Sequence, residues 1–444
     1  MLDEAAVDRI RQARAGLEAK VAEGAQVYGT TTRTGPEKGR PAGVTSEFQR
    51  EVAAGYGGAW DDGGPAFSRG VCRAAWTILL NQLANGTNIA SLELAEEMVA
   101  WLNAAWDRTN PHYAFLAGQI EKGASISYAD LTAPMQLLQA TICRKRLNPT
   151  SPREDDENDG YCFKPGEALV MGSSNCFTMA EAAISLKKVE RLLSLCELAT
   201  GLDIEAERST PFIVGQAAEE IAQWTEKRDV IRRIRSLLRG SNVWSDTPSS
   251  IHPFVTLRAA PDILGAAWEA LAGAKRIITS MANGHQGNPV MVGPWNSSLD
   301  HVEVGPVCSF DSTRLFLAFS GVQQAMSCLA VSLAQRGEHL ITLNGASESQ
   351  LFSRRFEVYL EASLRDSLRA GSSIPPAVGR INAAAGYDWA APAAQAADQL
   401  SEVIIKTFFV THISFALVSK LNMLSKDFKF HLWFNFLISS MLKR

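Results

Sequence analysis

The chain has 444 residues and a mass of 48.2 kDa, and at roughly 100–200 residues per domain this length allows two to four domains or one large helical body. Apolar residues make up 46% of it, which excludes wholesale disorder. Its 43 Lys and Arg against 47 Asp and Glu give a formal charge of -4, which offers no general attraction for nucleic acid or anionic lipid. We therefore expect a small molecule or another protein as the partner, with no nucleic acid and no membrane.

The seven cysteines and seven histidines are scattered, without C-x-x-C or H-E-x-x-H spacing. This pattern predicts reduced thiols in a cytoplasmic protein and no metal site. Residues 1–21 carry acidic side chains and no apolar core, so they predict neither a secretory signal nor a transit peptide.

Helical periodicity dominates and strand alternation is nearly absent, so the predicted fold class is all-α. In chain order, a first amphipathic helix is predicted over residues 91–106. A second begins with a capping box of Thr178 and Glu181 and stops at Gly201. A third apolar stripe covers residues 221–238.

Pro261 opens a fourth predicted helix, which reaches toward residue 283. Residues 315–335 are apolar nearly all round, so a membrane span has to be weighed against a buried central helix. Gln323 and Gln324 lie inside this stretch and no second span accompanies it. The buried helix is the favoured interpretation.

Composition predicts loops at residues 30–46 and 148–160. The tail, residues 401–444, has no Gly or Pro and holds seven of the 19 phenylalanines. We interpret it as an atypical segment of different coding history. The predicted organisation is an N-terminal part over 1–200, a central bundle of long helices over 201–400, and this tail.

The segment Val27-Tyr28-Gly29-Thr30-Thr31-Thr32 resembles the V-Y-G-x-T-T-G-F-G inner loop of the aromatic amino acid lyases. These are the histidine, phenylalanine and tyrosine ammonia-lyases and the related aminomutases. Further segments resemble family motifs in the same order, and they lie at residues 80–103, 123–135, 164–173, 215–216, 252–265, 288–289 and 373–375. The resemblance covers residues 20–390.

The resemblance implies an all-α, ammonia-lyase/fumarase-like bundle of long helices with a smaller N-terminal part. It also implies a tetramer in which each active site draws on several chains. The family's reaction removes an α-amino group and a β-proton from an amino acid. Its electrophile is a methylidene-imidazolone made from an internal Ala-Ser-Gly, in which the Ser loses its hydroxyl and the unhindered Gly closes the ring.

At the matching place this chain has the degenerate triplet Ser127, Tyr128 and Ala129. Tyr128 cannot dehydrate to a methylidene, so it is either a packing residue or a substitute acid or hydrogen-bond donor. A rival triplet, residues 124–126, reads Ala-Ser-Ile, but it lies three residues too early and its β-branched third residue crowds the backbone. We therefore expect no methylidene-imidazolone, and hence no cofactor.

Other site positions also depart from the family pattern. Met171 stands where a family Asn helps to hold the electrophile, and residues 53–55, Ala-Ala-Gly, occupy a stretch that often carries selectivity histidines. The Gly-Asn-Phe-His-Gly element is not recognisable in 295–306. The family Glu that follows Ser-Ile-Pro is missing after residues 373–375.

Two functional residues are retained. Tyr28 matches the inner-loop base, although a turn-packing tyrosine is an equal alternative, and a base role needs a nearby cation or helix end. Arg258 matches the arginine that binds the substrate carboxylate through two parallel hydrogen bonds, with a structural ion pair as the alternative. Asn288 is either a helix-end cap or a ligand-binding residue.

Three hypotheses follow from this pattern. The first is a divergent carbon–nitrogen lyase-type enzyme that acts on a small amino or carboxylic acid without the imidazolone, as a homotetramer. The second is a catalytically inactive family member that serves as a binding or scaffold subunit in a heterotetramer with an active paralogue. The third, an ordinary ammonia-lyase, requires the rival triplet to cyclise.

Overall fold

The computed structural model describes residues 1–57, 67–104, 135 and 161–343. Their regular structure is nearly all helical, as predicted from the periodicity. The helices are α1 (Glu4–Ala22), α2 (Ser46–Gly57), α3 (Arg69–Leu83), α4 (Leu92–Ala104), α5 (Glu167–Gly172), α6 (Cys176–Glu207), α7 (Gln216–Glu220), α8 (Thr225–Leu237), α9 (Val255–Arg258), α10 (Ala260–Ala282) and α11 (Thr313–Leu343).

Two short strands, β1 (Val290–Val292) and β2 (Glu303–Gly305), pair antiparallel with Met291 opposite Val304. Short 3-10 turns occupy Gly35–Glu37, Pro211–Val214 and Asn242–Trp244. The predicted loop at 148–160, the two candidate triplets, the 373–375 motif and the tail lie outside the described residues.

Contacts divide the chain into two compact units. Within the described residues, the first unit comprises Met1–Arg191 and Ala267–Ser327, and the second comprises Leu192–Ala266 and 328–343. Each unit is assembled from segments that are distant in sequence. The predicted boundaries at residues 200 and 400 remain an expectation from composition.

The core of the first unit forms where amphipathic helices bury one face each. Asp3 caps α1, because its Oδ1 accepts a hydrogen bond from the Ala6 amide at 2.7 Å, and the buried face of the helix includes Ile10 and Leu17. Trp76 of α3 is fully buried, with its ring 5.4 Å from that of Trp101. Each large apolar side chain buried in this way contributes about 1.5–3 kcal/mol.

Two helix predictions are confirmed by the described residues. α4 follows the predicted stripe as far as Ala104, and Ser91 caps it by accepting the Leu94 amide at 3.2 Å. α10 begins at Ala260, so Pro261 lies in its first turn, where a missing N–H costs no hydrogen bond.

The predicted start of α6 at a Thr178–Glu181 capping box and its predicted stop at Gly201 are wrong. α6 begins at Cys176, so Thr178 lies inside its first turn, and the helix continues through Gly201 to Glu207. A Gly in a helix interior costs only about 1 kcal/mol, which packing over a long helix outweighs. An added Cβ at Gly201 would lie 3.9 Å from Leu237, so this position faces α8 closely.

The third stripe is correct only in its second half. α8 buries Val230, Ile231 and Ile234, but Ile221 precedes it and is 76% exposed. The reason is local, because the chain becomes extended at Trp224 (φ −138°) between α7 and α8. One helical period therefore does not run through both helices.

The predicted central helix exists as α11, but it is buried along one face rather than all round. Leu315, Phe319 and Val322 are buried, whereas Leu317 is 63% exposed. Within the described chain, its portion Thr313–Gly337 is the one stretch long and apolar enough to cross a membrane by length and composition, and 44% of its most apolar window is buried in the structure.

Candidate functional site

Tyr28 lies in a tight turn that the chain holds by itself. The Val27 carbonyl accepts the amides of Thr30, Thr31 and Thr32 at 3.0, 2.9 and 3.2 Å, and the Thr31 hydroxyl accepts the Val27 amide at 2.7 Å. Tyr28 is half-buried, and its phenol oxygen accepts the Gly35 amide at 2.9 Å. The phenol hydrogen bonds to no residue of the described chain, so it is free to interact with a ligand.

Gly29 is required at the next position of this turn. Its φ is +69°, a left-handed value that costs other residues roughly 1–2 kcal/mol. A Cβ there would lie 2.4 Å from Cδ2 of Leu169, which belongs to α5. The glycine therefore lets the inner loop lie directly against α5.

α5 is anchored by a buried carboxylate. Glu167 has no exposed surface; its Oε1 accepts the Ser91 amide at 2.9 Å, and its Oε2 accepts the Lys164 amide at 2.7 Å and the Tyr161 hydroxyl at 2.8 Å. Burial, together with the charge of Glu167, raises the pKa of Tyr161 far above its usual value, so it stays a neutral donor. The pair of Glu167 and Tyr161 was not predicted, although a single acid at the start of the apolar run 167–171 is a sequence signal for it.

Two of the other positions that differ from the family pattern, 171 and 53, carry side chains that are packed into the core. Met171 has no exposed surface and belongs to the apolar core of the first unit, together with Ala53. Ala54 is 2% exposed, whereas Gly55 is exposed. A thioether at position 171 cannot supply the two-sided hydrogen bonding of a carboxamide.

Arg258 is half-buried at the end of α9, in the second unit. Its Nε donates to the Pro253 carbonyl at 2.8 Å, which fixes one edge of the guanidinium. Within the described chain no carboxylate pairs with it, and its Nη1 and Nη2 atoms form no hydrogen bond. The structural ion pair considered from the sequence is therefore absent from the described part, and the four N–H donors of Nη1 and Nη2 have no partner within it.

Asn288 lies in the first unit, between the end of α10 at Ala282 and the start of β1 at Val290. It therefore caps no helix of the described chain, so the helix-cap interpretation is wrong. It is half-buried, and its side chain forms no hydrogen bond to a described residue. A ligand-binding role for Asn288 stays a prediction.

The described residues thus place Tyr28, Met171 and Asn288 in the first unit and Arg258 in the second. Ser127, Tyr128 and Ala129 lie outside them. The residues do not fit a methylidene-imidazolone, because the triplet lacks the dehydratable Ser and the unhindered Gly, and Met171 is a buried thioether. Among the described side chains, no group of three His, Cys, Asp or Glu is arranged to hold a metal ion.

The chain is similar to known proteins of one family. A family model for aromatic amino acid lyase matches residues 1–113 and 118–352. Histidine ammonia-lyase from Shouchella clausii is 25% identical over 309 residues, which cover 65% of this chain and 58% of that protein. Tyrosine 2,3-aminomutase from Myxococcus fulvus is 25% identical over 319 residues, covering 66% and 59%. The chain thus matches under two thirds of the length of these relatives.

Solved structures show the same fold. Ergothionase from Treponema denticola superimposes with a TM-score of 0.75 at 17% identity, covering 93% of this chain and 84% of that one. Histidine ammonia-lyase from Trypanosoma cruzi superimposes with a TM-score of 0.73 at 16% identity, covering 96% and 81%. Given the extent of the family match and this fold, the chain belongs to the aromatic amino acid lyase family.

Proposed function

We propose that the protein is a divergent carbon–nitrogen lyase-type enzyme that binds a small amino or carboxylic acid and acts without a methylidene-imidazolone. The observation that carries the proposal is the state of Arg258. One edge of its guanidinium is fixed by Pro253, and its Nη atoms have no partner in the described chain. A half-buried, pre-oriented guanidinium without a protein carboxylate is suited to a ligand carboxylate.

Each retained residue has one role in this proposal. Arg258 binds the substrate carboxylate through parallel N–H···O bonds, which a lysine cannot reproduce. Tyr28 transfers a proton through its phenol oxygen, which the Gly35 amide holds at 2.9 Å. Tyr128 is a further candidate acid or hydrogen-bond donor on sequence grounds, and Asn288 is a candidate ligand contact.

The lack of a suitable triplet restricts the reaction. Without the electrophile, an amino group remains a poor leaving group and a benzylic-type β-proton remains weakly acidic. The proposal therefore requires a substrate with a more acidic proton or an activated leaving group. Addition of an amine to an activated unsaturated acid, the reverse direction, has the same requirement.

The alternative is a catalytically inactive subunit that lends structure to a heterotetramer with an active paralogue. The specific observation in its favour is Met171, which places a core side chain where the family pattern has a polar one. The two proposals differ in ligand binding, because an inactive scaffold has no need to keep Arg258 available.

An oligomer, as a homotetramer or a heterotetramer in the cytoplasm, is part of both proposals. The second unit leaves six large apolar side chains exposed, a surface that a partner subunit would cover. They are Phe212, Ile221, Leu237, Trp244, Ile251 and Val255, at 59%, 76%, 42%, 42%, 83% and 66%. Multi-angle light scattering measures the mass directly, and a stable monomer would contradict this part.

A ligand-induced stability screen tests the proposed function. Thermal unfolding is measured with aromatic L-amino acids and with the matching trans-2,3-unsaturated acids, each paired with its methyl ester. A ligand at 100 times its Kd raises stability by about 2.7 kcal/mol, so binding is readily seen. We expect shifts with free acids and none with esters. If no acid shifts the unfolding temperature, or if esters act equally, the enzyme proposal fails and the scaffold is favoured.

A further inference from the structure

We propose that Gln49 is the residue that positions the Tyr28 loop. The inference rests on the proposed function for its meaning, since a positioned Tyr28 matters only if its phenol serves a ligand. Gln49 lies in the first turn of α2 and has no exposed surface. A buried amide of this kind costs free energy unless its hydrogen bonds are satisfied.

Both ends of this carboxamide are engaged. Nε2 donates to the Gly29 carbonyl at 3.0 Å, and Oε1 accepts the Ala168 amide at 3.1 Å. The Gly29 carbonyl belongs to the Tyr28 turn, and the Ala168 amide is one of the first-turn N–H groups of α5, which have no partner within that helix. One side chain therefore joins the inner loop to the start of α5.

The remaining contacts of the turn are mainly within the loop. Val27 accepts three amides of its own turn, Ala42 donates its amide to the Thr31 carbonyl at 2.8 Å, and Tyr28 accepts the Gly35 amide. Among the described hydrogen bonds, that from Gln49 is the one that joins residues 27–32 to an α-helix.

The anchor at the other end is rigid. Ala168 follows Glu167, whose buried carboxylate accepts the Ser91 amide at the start of α4. Hydrogen bonds through Gln49 and α5 therefore connect the loop to the start of α4. Gly29 completes the contact, since a Cβ there would lie 2.4 Å from Cδ2 of Leu169 and force that side chain to shift. Gln49 thus fixes the position of the Tyr28 phenol without touching a ligand itself.

Two substitutions test this role. Gln49→Leu removes both hydrogen bonds at similar volume. Gln49→Glu is isosteric, and its protonated form restores both bonds, because the O–H donates to the Gly29 carbonyl and the other oxygen accepts the Ala168 amide. The ionised form keeps only the second bond and faces a carbonyl. Burial raises the pKa of such a carboxyl, so the protonated form is favoured. The anchoring should be lost when the pH rises far enough to ionise it.

The control is Gln82→Leu. Gln82 is 1% exposed in the same unit, and its Nε2 contacts the Asn175 side chain and the Met281 carbonyl, each at 3.4 Å, rather than the loop. This variant shows how far the loss of any buried glutamine in the unit changes hydrogen exchange.

The measurement is residue-resolved hydrogen exchange at the Gly35 amide, which reports the bond to the Tyr28 phenol. In Gln49→Leu we expect exchange at Gly35 to accelerate about tenfold, the factor that corresponds to one ordinary hydrogen bond, with no change in Gln82→Leu. At low pH the Gly35 exchange rate of Gln49→Glu should equal that of the wild-type protein. At high pH it should equal that of Gln49→Leu, when all rates are compared at the same pH. Equal exchange in Gln49→Leu and wild type, or exchange in Gln49→Glu as fast as in Gln49→Leu at every pH, would overturn the proposal.

This result is separable from the proposed function. If Gln49→Leu accelerates Gly35 exchange but no acid ligand binds the wild-type protein, the enzyme proposal fails while the anchoring stands. If acids bind and Gly35 exchange is unaffected by Gln49→Leu, the anchoring fails alone.

Discussion

Arg336 and Asp203 form an ion pair with no exposed surface, in which Nε lies 2.6 Å from Oδ2. The pair joins α11 to α6 within the second unit. The Nη1 and Nη2 atoms of Arg336 have no acceptor within the described chain. The pair therefore bears a large desolvation cost, which its short contact offsets only while both partners are present.

We predict that Arg336→Met destabilises the protein by about 3–5 kcal/mol, because it removes the 2.6 Å ion-pair contact to the buried Asp203 carboxylate. The double variant Arg336→Met with Asp203→Leu should recover most of this loss. Urea unfolding measures both. The control is Lys187→Met, since Lys187 is 66% exposed where it pairs with Glu190, and the loss there should not exceed about 1 kcal/mol. A double variant as unstable as the single one would show that the charge pair is not the cause.

A second prediction concerns the inner loop. Gly29→Ala should destabilise the protein more than Gly35→Ala, although both residues have positive φ, at +69° and +61°. Each substitution pays the left-handed cost of about 1–2 kcal/mol. Only Gly29 adds a collision, since a Cβ at Gly35 meets no atom within 4 Å. Equal losses in chemical unfolding would mean that Leu169 moves aside freely.

The helices were predictable where local signals suffice. Pro261 marks the start of α10, and the stripe from 91 onward marks α4, because caps and periodicity act within a few residues of each other. Gly201 does not end α6, because a glycine stops a helix only when no tertiary contact favours its continuation. Ile221 lies outside α8, although the apolar spacing continues across the extended residue Trp224 between the two helices.

The contacts that organise the candidate site were not predictable from the sequence. Gln49 reaches Gly29 across 20 residues and Ala168 across 119, and Arg336 reaches Asp203 across 133. No local period or cap encodes such pairs. Tyr28 and Arg258 were found only because short motifs resemble a family. Their surroundings, the Gly35 amide and the Pro253 carbonyl, needed the fold.

The third prediction tests the carboxylate contact. Arg258→Lys should weaken free-acid ligands by about 1.5–3 kcal/mol, the scale of a charged hydrogen bond, because lysine cannot form the parallel pair. Isothermal titration measures the affinity. Arg239→Lys, at an exposed position just beyond the end of α8, serves as the control for a general effect of the substitution. If Arg258→Lys keeps wild-type affinity while the fold is intact, the assignment of Arg258 is wrong.

The last prediction concerns the electrophile. We expect no methylidene-imidazolone, and hence no ordinary ammonia-lyase activity on phenylalanine, tyrosine or histidine. Tyr128 cannot supply the methylidene, and Ala129 crowds the ring closure. Cyclisation expels two waters, so intact-mass analysis decides the matter. A mass lower by two waters that maps to residues 124–129 would refute the prediction.

Repair of the triplet provides the converse test. Ser127→Ala, Tyr128→Ser and Ala129→Gly together restore the residues that the cyclisation needs, so the repaired chain should lose two waters. Turnover should nevertheless stay poor, because Met171 still occupies the core position of the missing amide and the Glu after Ser-Ile-Pro is absent. Catalytic groups that act as a unit are strongly non-additive, so restoring one part recovers little rate. Rapid ammonia release by the repaired protein would show that Met171 and the missing Glu matter less than the triplet.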